Sequence, residues 1–531
     1  MNRLNFTKLN LLFVFLMLLS CTSTKNTSTN LDSTNPTSTI PASTEQQPNI
    51  VFILCDDLGY GDIQSLAPAT SKIKTPHVDQ LTKEGMVFTD AHSGSSVCTP
   101  TRYGIMTGRY SWRTSLQSGV VSGFKPDLIK EDRPTIGNFL KDQGYHTAII
   151  GKWHLNFQYA DPTTKTLLRK KGRNLPPVGS IIPDGPINRG FDYYHGFHHA
   201  GSMKAVIEND KVILHEDEIN MLPRLTTKSV AYINEKANNK DGKPFFLYVP
   251  LGSPHTPILP TKEWQGKSGL GAYADFVMQT DATVGAITKA LQDNGLSENT
   301  IVIFSSDNGT SKAAKIEALA EKGHIVSAGY RGSKSDLWDG GHRIPFIVKW
   351  PGVVKPNSTS NELICLTDIF ATFSEITDAP IPGKAGEDSV SFLSALKGEK
   401  IKSTRAGVIH HSISGHFGYR QGNWKLLLAR GSAGWSSPQE DDASLDDMPI
   451  AQLYDMENDF AETTNLYTTH PEIAERLLNQ LELDIKNGRS TTGEFSQNDM
   501  DDIILWKKRT VKRSKKAKNK KKNKKKKKSN K

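Results

Sequence analysis

Short, nearly unbroken apolar runs that recur between helical patterns restrict this chain to a small set of folds. The run Ile50-Val51-Phe52-Ile53-Leu54 has no polar member, and similar runs fill most of 146–150, 245–249 and 300–305. Runs of this kind are typical of strands that are buried on both faces of a sheet. Helical patterns such as 272–291 separate them. The alternation predicts an α/β fold with a large mixed, mostly parallel sheet flanked by helices.

The pattern changes beyond about residue 400, where short strand-like stretches follow one another without long helices between them. These stretches are 407–411, 417–421, 424–429 and 452–455, and a helical pattern covers 471–486. They predict a smaller C-terminal antiparallel sheet with a packed helix. We therefore expect a catalytic α/β domain over 49–400 and an antiparallel α+β subdomain over 401–506.

The N-terminus has the features of an export signal. Arg3 and Lys8 precede the apolar run 11–19, which ends at Ser20-Cys21. The run is shorter than the roughly 20 residues that span a bilayer, so 1–20 is predicted to be a signal peptide. Leu18-Leu19-Ser20-Cys21 resembles a bacterial lipobox, in which Cys21 is lipidated; the alternative is an ordinary signal peptide. We expect an exported protein, held by a lipid anchor at the outer membrane, the cell surface or in the periplasm.

Two segments have compositions that cannot bury a core. Residues 22–48 are almost wholly Ser, Thr, Asn, Pro and Gln, which predicts a disordered tether. Residues 507–531 contain 17 Lys or Arg and no acidic residue, so the other 506 residues carry 49 basic against 56 acidic side chains. The net charge of +10 therefore belongs to a disordered poly-Lys tail. That tail is either a solubilising extension or an arm for an anionic polysaccharide or surface, and an exported protein gives little reason to expect nucleic acid.

Polar residues follow two of the predicted strands directly. Asp56-Asp57 come after the first strand, and Asp307-Asn308 come after the strand at 300–305. Ligands in α/β folds bind outside the carboxyl ends of the strands. Three carboxylates and one amide oxygen suit Ca²⁺ or Mg²⁺ better than zinc. The alternative is that each pair merely caps a turn.

A cysteine motif gives these pairs a chemical context. Cys98-Thr99-Pro100-Thr101-Arg102 is neither a metal spacing nor half of a redox pair, and it resembles the C-x-P-S/T-R signature of type I sulfatases. Five further segments follow in that family's order: Gly151-Lys152-Trp153-His154-Leu155, Pro254-His255-Thr256-Pro257, Gly332-Ser333-Lys334, Tyr419-Arg420-Gln421-Gly422-Asn423-Trp424-Lys425 and Leu453-Tyr454-Asp455. Over about 48–470 the chain thus resembles the formylglycine-dependent sulfatases of the alkaline-phosphatase superfamily, in particular bacterial arylsulfatase-A-like polysaccharide sulfatases.

The resemblance implies a mechanism and assigns roles to residues. A maturation enzyme would oxidise Cys98 to formylglycine, whose aldehyde hydrate attacks sulfur. Ca²⁺ would bind Asp56, Asp57, Asp307 and Asn308 together with the modified Cys98. Lys152 and Lys334 would gather the sulfate oxygens, and Arg102 would hold one hydroxyl of the hydrate. His255 would protonate the leaving oxygen, and His154 would take the proton that allows sulfate to be expelled.

Export and the basic tail point to a carbohydrate substrate met outside the cytoplasm. We expect a sulfated algal polysaccharide such as ulvan, or a glycosaminoglycan oligosaccharide. Substrate contacts are expected from loops that include 195–199 and 410–412, although these residues could equally be structural. A phosphodiesterase or phosphonate monoester hydrolase of the same superfamily is the nearest alternative, and a non-catalytic binder of sulfated glycans is the other.

Three further residues are ambiguous in the sequence. His342 lies in Asp339-Gly340-Gly341-His342-Arg343, where the family usually has an apolar residue, so it either contacts substrate or packs beside the site. Cys55 and Cys365 could form a disulfide or remain two buried thiols. The four cysteines of the chain are too few to indicate a disulfide-stabilised scaffold.

Overall fold

A computed structural model of the chain describes residues 47–169 and 174–509. The predicted signal peptide, Cys21, nearly all of the tether and most of the poly-Lys tail lie outside the described residues. Among the residues that are described, no helix has the length and apolar character needed to cross a membrane.

The order of elements matches the alternation expected from the sequence. The strands are β1 (Asn49–Asp56), β2 (Met86–Phe88), β3 (Ala91–His92), β4 (His146–Lys152), β5 (Tyr193–Phe197), β6 (Ala205–Glu208), β7 (Lys211–His215), β8 (Phe245–Pro254), β9 (Thr300–Ser306), β10 (Phe346–Lys349), β11 (Ser358–Ser360), β12 (Ile364–Cys365), β13 (Val408–His411), β14 (Phe417–Gln421), β15 (Trp424–Leu427) and β16 (Gln452–Asp455). The helices are α1 (Pro76–Glu84), α2 (Cys98–Thr107), α3 (Ile136–Asp142), α4 (Met221–Ala237), α5 (Ala272–Asp293), α6 (Ile316–Glu321), α7 (Asp339–His342), α8 (Ile369–Ile376), α9 (Leu393–Leu396) and α10 (Pro471–Lys486).

One large sheet organises the molecule. Its order is β11-β2-β10-β9-β1-β8-β4-β5-β6-β7, and its central strands β9, β1, β8, β4 and β5 are parallel. Antiparallel strands complete both sides: β10 pairs with β9 and β2, and β6 pairs with β5 and β7. The sheet is therefore mixed and mostly parallel at its centre, which confirms the expected fold class.

Alternate side chains of the central strands point into two separate cores. On β1, Ile50, Phe52 and Leu54 pack in one cluster, to which α2, α3 and α8 contribute. Val51 and Ile53 pack in the other cluster, with residues of α1, α4 and α5. Because successive side chains of a strand point to opposite faces, a strand covered on both faces must be apolar throughout. This is the physical reason for the unbroken apolar runs.

A second sheet lies in the C-terminal part. It has the order β13-β14-β15-β16 and is antiparallel throughout. Leu477 and Leu481 of α10 are fully buried in the same cluster as Ile409, Tyr419 and Leu453. The expected small antiparallel sheet with a packed helix is confirmed.

Candidate functional site

The two pairs of strand-end residues meet at one point. Asp56 ends β1, and Asp307 comes directly after β9, which runs parallel to β1 with Cys55 opposite Ser306. The amide of Asp57 donates to Asp307 Oδ1 at 3.3 Å, and Asn308 Nδ2 donates to Asp57 Oδ1 at 2.8 Å. All four side chains are buried. Strand register thus brings together residues that are about 250 positions apart.

Three cations surround the three carboxylates. Lys152, at the end of β4, donates to Asp56 Oδ2 at 2.5 Å. Lys334 donates to Asp57 Oδ1 at 2.5 Å. Arg102 donates from both Nε and Nη2 to a single oxygen, Asp307 Oδ2, at 3.0 and 2.7 Å. The cluster therefore has no net formal charge when all six groups are ionised.

The carboxylates of this cluster differ in acidity. Burial opposes ionisation of Asp56, but Lys152 and His255 outweigh it and hold the pKa of Asp56 well below its usual range. Burial and the neighbouring Asp56 raise the pKa of Asp307 to about 7, against the effect of Arg102. The three local cations alone do not stabilise all three negative charges equally, so a further cation would favour the ionised form of Asp307.

Several oxygen atoms of the cluster are buried without a hydrogen-bond partner. They are Asp56 Oδ1, Asp57 Oδ2 and Asn308 Oδ1. Buried acceptors without partners are costly and usually mark a place for a ligand or ion. Ligand atoms of Asp56, Cys98 and Asp307 also lie within 4.8 Å of one another. An all-oxygen set with unsatisfied lone pairs fits a hard divalent cation such as Ca²⁺.

Cys98 is the first residue of α2, so the free amides at the start of that helix favour negative charge beside it. The side chain is only 2% exposed. Burial raises the pKa of the Cys98 thiol, although Lys152 and Lys334 act in the opposite direction. The unmodified side chain is thus a neutral thiol rather than the thiolate that nucleophilic cysteines use.

Two histidines occupy different positions relative to this cluster. His255, directly after β8, has its side chain 17% exposed, with Nε2 3.7 Å from Asp57 Oδ2. His154 is buried, and its Nε2–H donates to the carbonyl of Val121 at 3.0 Å. Its Nδ1 has no partner, and burial holds the pKa of His154 well below its ordinary value. With the ring proton on Nε2, Nδ1 of the neutral ring keeps a lone pair that can accept a proton.

His154 also lies close to the cysteine motif, since Thr99 Oγ1 donates to its carbonyl at 3.0 Å. The structure therefore brings the whole predicted set into one region. That set is Cys98, Arg102, Lys152, His154, His255 and Lys334, together with Asp56, Asp57, Asp307 and Asn308.

The predicted substrate loops are wrong in part. His195, Gly196 and Phe197 belong to β5, and His410 and His411 belong to β13. The side chains of His195, His410 and His411 are buried within the fold, at 0%, 0% and 2% exposure. The strand at His410 and His411 agrees with the strand-like stretch predicted at 407–411. The strand at His195 was not predicted, because local polarity does not reveal that a neighbouring strand will pair with it.

The remaining ambiguities are resolved by packing. His342 is fully buried, stacks on His410 with ring centroids 3.8 Å apart, and places Nδ1 3.0 Å from His92 Nδ1. It therefore packs in a cluster of histidines. Cys55 and Cys365 are both buried free thiols.

One group that supports the site was missed in the sequence. Asp62 braces the turn after Asp57: its Oδ2 accepts from Gly59 N, Tyr273 OH and Thr310 Oγ1 at 2.8, 2.6 and 2.8 Å. Its Oδ1 lies 2.9 Å from His324 Nε2. The local signal was present, because an acidic residue in the short Gly59-Tyr60-Gly61-Asp62 turn can bond back to the backbone. Its distant partners had no signal.

Comparisons with known proteins agree on one family. The sulfatase family model matches residues 48–379. An N-acetylgalactosamine-6-O-sulfatase of Bacteroides thetaiotaomicron is 30% identical over 490 residues, covering 82% of this chain and 93% of that protein. Arylsulfatase A of Bos taurus is 29% identical over 479 residues, covering 82% of this chain and 87% of the bovine protein.

Solved structures show the same relationship. A Bacteroides thetaiotaomicron structure from work on the metabolism of multiple glycosaminoglycans superposes with a TM-score of 0.70 and 27% identity, covering 82% of this chain and 99% of that chain. A second structure, in complex with k-i-k-neocarrahexaose, has a TM-score of 0.66 and 22% identity, and covers 85% of this chain and 95% of that one. At that lower identity the likeness concerns the fold.

Proposed function

The chain belongs to the sulfatase family, and from that premise we propose that it hydrolyses the sulfate esters of a carbohydrate with Ca²⁺ and a formylglycine made from Cys98. The proposal rests on the buried cluster at the N-terminal end of α2. There, three carboxylates, three cations and oxygen atoms without partners surround one cysteine.

Asp56, Asp57, Asp307 and Asn308 would hold the metal. Their unpartnered oxygens support this assignment, as does the balance of charge in the cluster. Bound Ca²⁺ would supply positive charge that stabilises a developing oxyanion. Because the six ionised groups alone sum to zero, a divalent cation makes the site net positive and so complementary to an anionic sulfate ester.

Conversion of Cys98 to formylglycine would supply a hydrated aldehyde whose hydroxyl attacks sulfur. Arg102 is the last residue of the motif and its guanidinium is fixed by Asp307, so it can orient one hydroxyl of that hydrate. Lys152 and Lys334 each have one carboxylate partner at 2.5 Å, and their remaining protons can bond to sulfate oxygens. Both would stabilise charge that accumulates in the transition state.

The two histidines are suited to opposite proton transfers. His255 is the more exposed, so it can reach the oxygen of a departing sugar and donate a proton to it. His154 has a buried, unpartnered Nδ1 on a neutral ring, so it can accept the proton of the second hydroxyl as sulfate leaves. With this division, no water molecule has to attack sulfur.

The names of the relatives narrow the substrate class. One relative at 30% identity is an N-acetylgalactosamine-6-O-sulfatase, and a structure at 27% identity comes from work on glycosaminoglycan metabolism. We propose a glycosaminoglycan-type oligosaccharide with a sulfated amino sugar as the first substrate to test, and sulfated algal oligosaccharides such as those of ulvan as the second.

We also propose that the protein is exported and lipid-anchored through Cys21. The support is the sequence alone: Arg3 and Lys8, the apolar run 11–19, and the tether composition of 22–48. Labelling of whole cells with a radioactive or clickable fatty acid would test it, because Cys21→Ala should abolish label incorporation. Label that persists in this variant would overturn the anchor.

Sulfate release by protein co-expressed with a formylglycine-generating enzyme tests the catalytic proposal. We would confirm the modification of Cys98 by mass spectrometry and then assay an aryl sulfate, sulfated amino sugars, algal oligosaccharides, a phosphodiester and a phosphonate monoester. We expect sulfate release that is lost in Cys98→Ala and retained in Cys365→Ala, a matched loss of a buried thiol. Phosphoester cleavage without sulfate release, or neither activity in modified, Ca²⁺-loaded protein, would overturn the proposal.

A further inference from the structure

An exposed tryptophan forms part of the lining of a surface pocket, and its segment is hydrogen-bonded to the segment that carries Lys334. Trp435 belongs to the segment between β15 and β16, and its side chain is 38% exposed. By contrast, Trp112, Trp153 and Trp338 are at most 2% exposed. The pocket has a volume of about 520 Å³ and is lined by Lys312, Trp435, Ser437, Gln439, Asp442 and Ala443, with Asp441 beside them.

The position of Trp435 is fixed by the segment that carries Lys334. Its amide donates to Ser335 Oγ and to Asp336 Oδ1, both at 2.9 Å. The amide of Ser335 in turn donates to the carbonyl of Ser96 at 2.8 Å, two residues before Cys98. A short chain of hydrogen bonds thus joins the tryptophan to the cysteine motif.

The opposite side of the pocket is fixed by the segment that carries Asn308. Lys312 follows Asn308 by four residues, and its Nζ donates to the carbonyl of Trp435 at 2.5 Å. The amide of Lys334 donates to the carbonyl of Thr310 at 3.0 Å. Both segments that carry site residues are therefore linked to Trp435 by hydrogen bonds, and these bonds connect the pocket to the reaction centre.

The chemistry of the lining selects among occupants. An indole that is 38% exposed and surrounded by hydroxyl, amide and ammonium groups is suited to a ring that has one apolar face and a polar rim, as a pyranose has. The carboxylates of Asp441 and Asp442 and the ammonium of Lys312 line the same space, so the lining has a formal charge of −1 and disfavours anions. The side chain of Asp442 also caps the amide of Ser444, which lowers its pKa and keeps it charged.

We propose that this pocket is a carbohydrate subsite in which Trp435 stacks against an uncharged sugar residue adjacent to the sulfated residue of the substrate. The proposal rests on the proposed sulfatase activity and adds to it a preference for oligosaccharides. It also predicts a bias against a second sulfate or a uronic acid in that position, because those groups would face Asp441 and Asp442.

The test compares selectivity rather than activity alone. We would measure kcat and KM of the wild type, Trp435→Ala and Trp435→Phe on an aryl sulfate and on an oligosaccharide whose sulfated residue has a neutral neighbour. We expect the ratio of kcat/KM for the oligosaccharide to that for the aryl sulfate to fall about 10-fold in Trp435→Ala, mainly through KM, since stacking acts on binding. Trp435→Phe should recover most of the ratio.

Two controls separate this role from a structural one. Phe495→Ala removes another exposed aromatic side chain, 72% exposed and not among the pocket's lining residues, and should leave the ratio at its wild-type value. Asp442→Asn keeps an oxygen that can cap Ser444 and should raise kcat/KM about threefold for an oligosaccharide with an anionic neighbour. An equal loss of activity on both substrates in Trp435→Ala, or an unchanged ratio, would overturn the subsite.

A binding experiment distinguishes failure of the subsite from failure of the proposed function. Cys98→Ala cannot turn over, so binding of a desulfated oligosaccharide can be measured by calorimetry whatever the reaction is. We expect binding to Cys98→Ala that weakens about 10-fold when Trp435→Ala is added. No binding in the first variant, or equal binding in both, would overturn the subsite even if the wild type releases sulfate.

Discussion

Two groups of buried charges in this molecule differ in whether their oxygen atoms are satisfied. In the site cluster of Asp56, Asp57, Asp307, Arg102, Lys152 and Lys334, one oxygen each of Asp56 and Asp57 has no hydrogen-bond partner. In the junction cluster of Asp339, Arg343, Lys425 and Glu462, each carboxylate oxygen accepts a hydrogen bond. Both clusters are buried, but only in the junction cluster does every carboxylate oxygen accept a hydrogen bond.

The junction cluster joins the C-terminal sheet to α7. Lys425 of β15 donates to Asp339 at 2.6 Å and to Glu462 at 2.7 Å, and Arg343 donates to Asp339 at 2.8 Å. A cluster of this kind holds two parts of a fold in one arrangement. The comparison shows that buried charge does not by itself indicate a functional site. The better indication is a buried acceptor for which the protein provides no hydrogen-bond donor.

The largest effect should come from removing the central cation of the junction cluster. Lys425→Met leaves Asp339 and Glu462 buried without their shared donor, and we expect a loss of about 3–5 kcal/mol in the free energy of unfolding. Chemical denaturation measures it. The kcat per folded molecule should stay near that of the wild type, and a stability within 1 kcal/mol of it (about the size of a surface substitution) would contradict the comparison.

The matching change in the site cluster should act on catalysis instead. Lys334→Met removes a group that stabilises transition-state charge, and we expect kcat to fall about 100- to 1,000-fold. The free energy of unfolding in the presence of Ca²⁺ should change far less than in Lys425→Met, because the metal would still compensate Asp57. If the two variants lost stability equally, the site cluster would be structural as well.

Removal of calcium should lower the free energy of unfolding, because the site cluster loses its bound ion, and should leave the junction cluster unaffected. At a Ca²⁺ concentration 100 times the Kd, binding adds about 2.7 kcal/mol to the native state, and a chelator should remove that amount. Calorimetric scans with and without EDTA measure it. Asp307→Asn keeps the shape of the side chain but removes its charge, so the melting temperature of this variant should change much less when the chelator is added. A change as large as in the wild type would mean that the ion binds elsewhere.

The effect that is smallest for each step of the measurement is a pH dependence in the junction cluster, which is at most about 1.4 kcal/mol per pH unit. Burial raises the pKa of Glu462 to about 7, against the effect of Lys425. Its contribution to stability is therefore full below the unfolded value of about 4.3 and is lost by about pH 7, with a slope of at most about 1.4 kcal/mol per pH unit. Denaturation of the wild type and of Glu462→Gln at several pH values measures it, and parallel curves would contradict it.

The sequence predicted those parts of the molecule whose signal is local. Apolar runs predicted the strands, and the rule that ligands bind at strand ends predicted that Asp56 and Asp307 meet. The grouping of Cys98 with Lys152, His255 and Lys334 followed from motifs in a known order. In each case the residues within ten positions of the feature carried enough information.

Contacts between distant residues that no strand end and no motif marks were not predictable. Nothing near Lys312 indicates its bond to Trp435, 123 positions away, or the bond of Lys425 to Asp339, 86 positions away. His195 was assigned to a loop, but it lies in β5, which pairs with β4 and β6. Such pairing is a property of the tertiary fold.

The burial of the cysteine motif has a consequence for biosynthesis. Cys98, Thr99, Thr101 and Arg102 are each at most 2% exposed, and Pro100 is buried as well. Asp307, which fixes Arg102, is synthesised about 200 residues later. If an enzyme oxidises Cys98, it must reach the motif while the nascent chain is still extended, before the second half of the sheet closes over it. The timing of translation and export would then decide what fraction of the molecules ever becomes active.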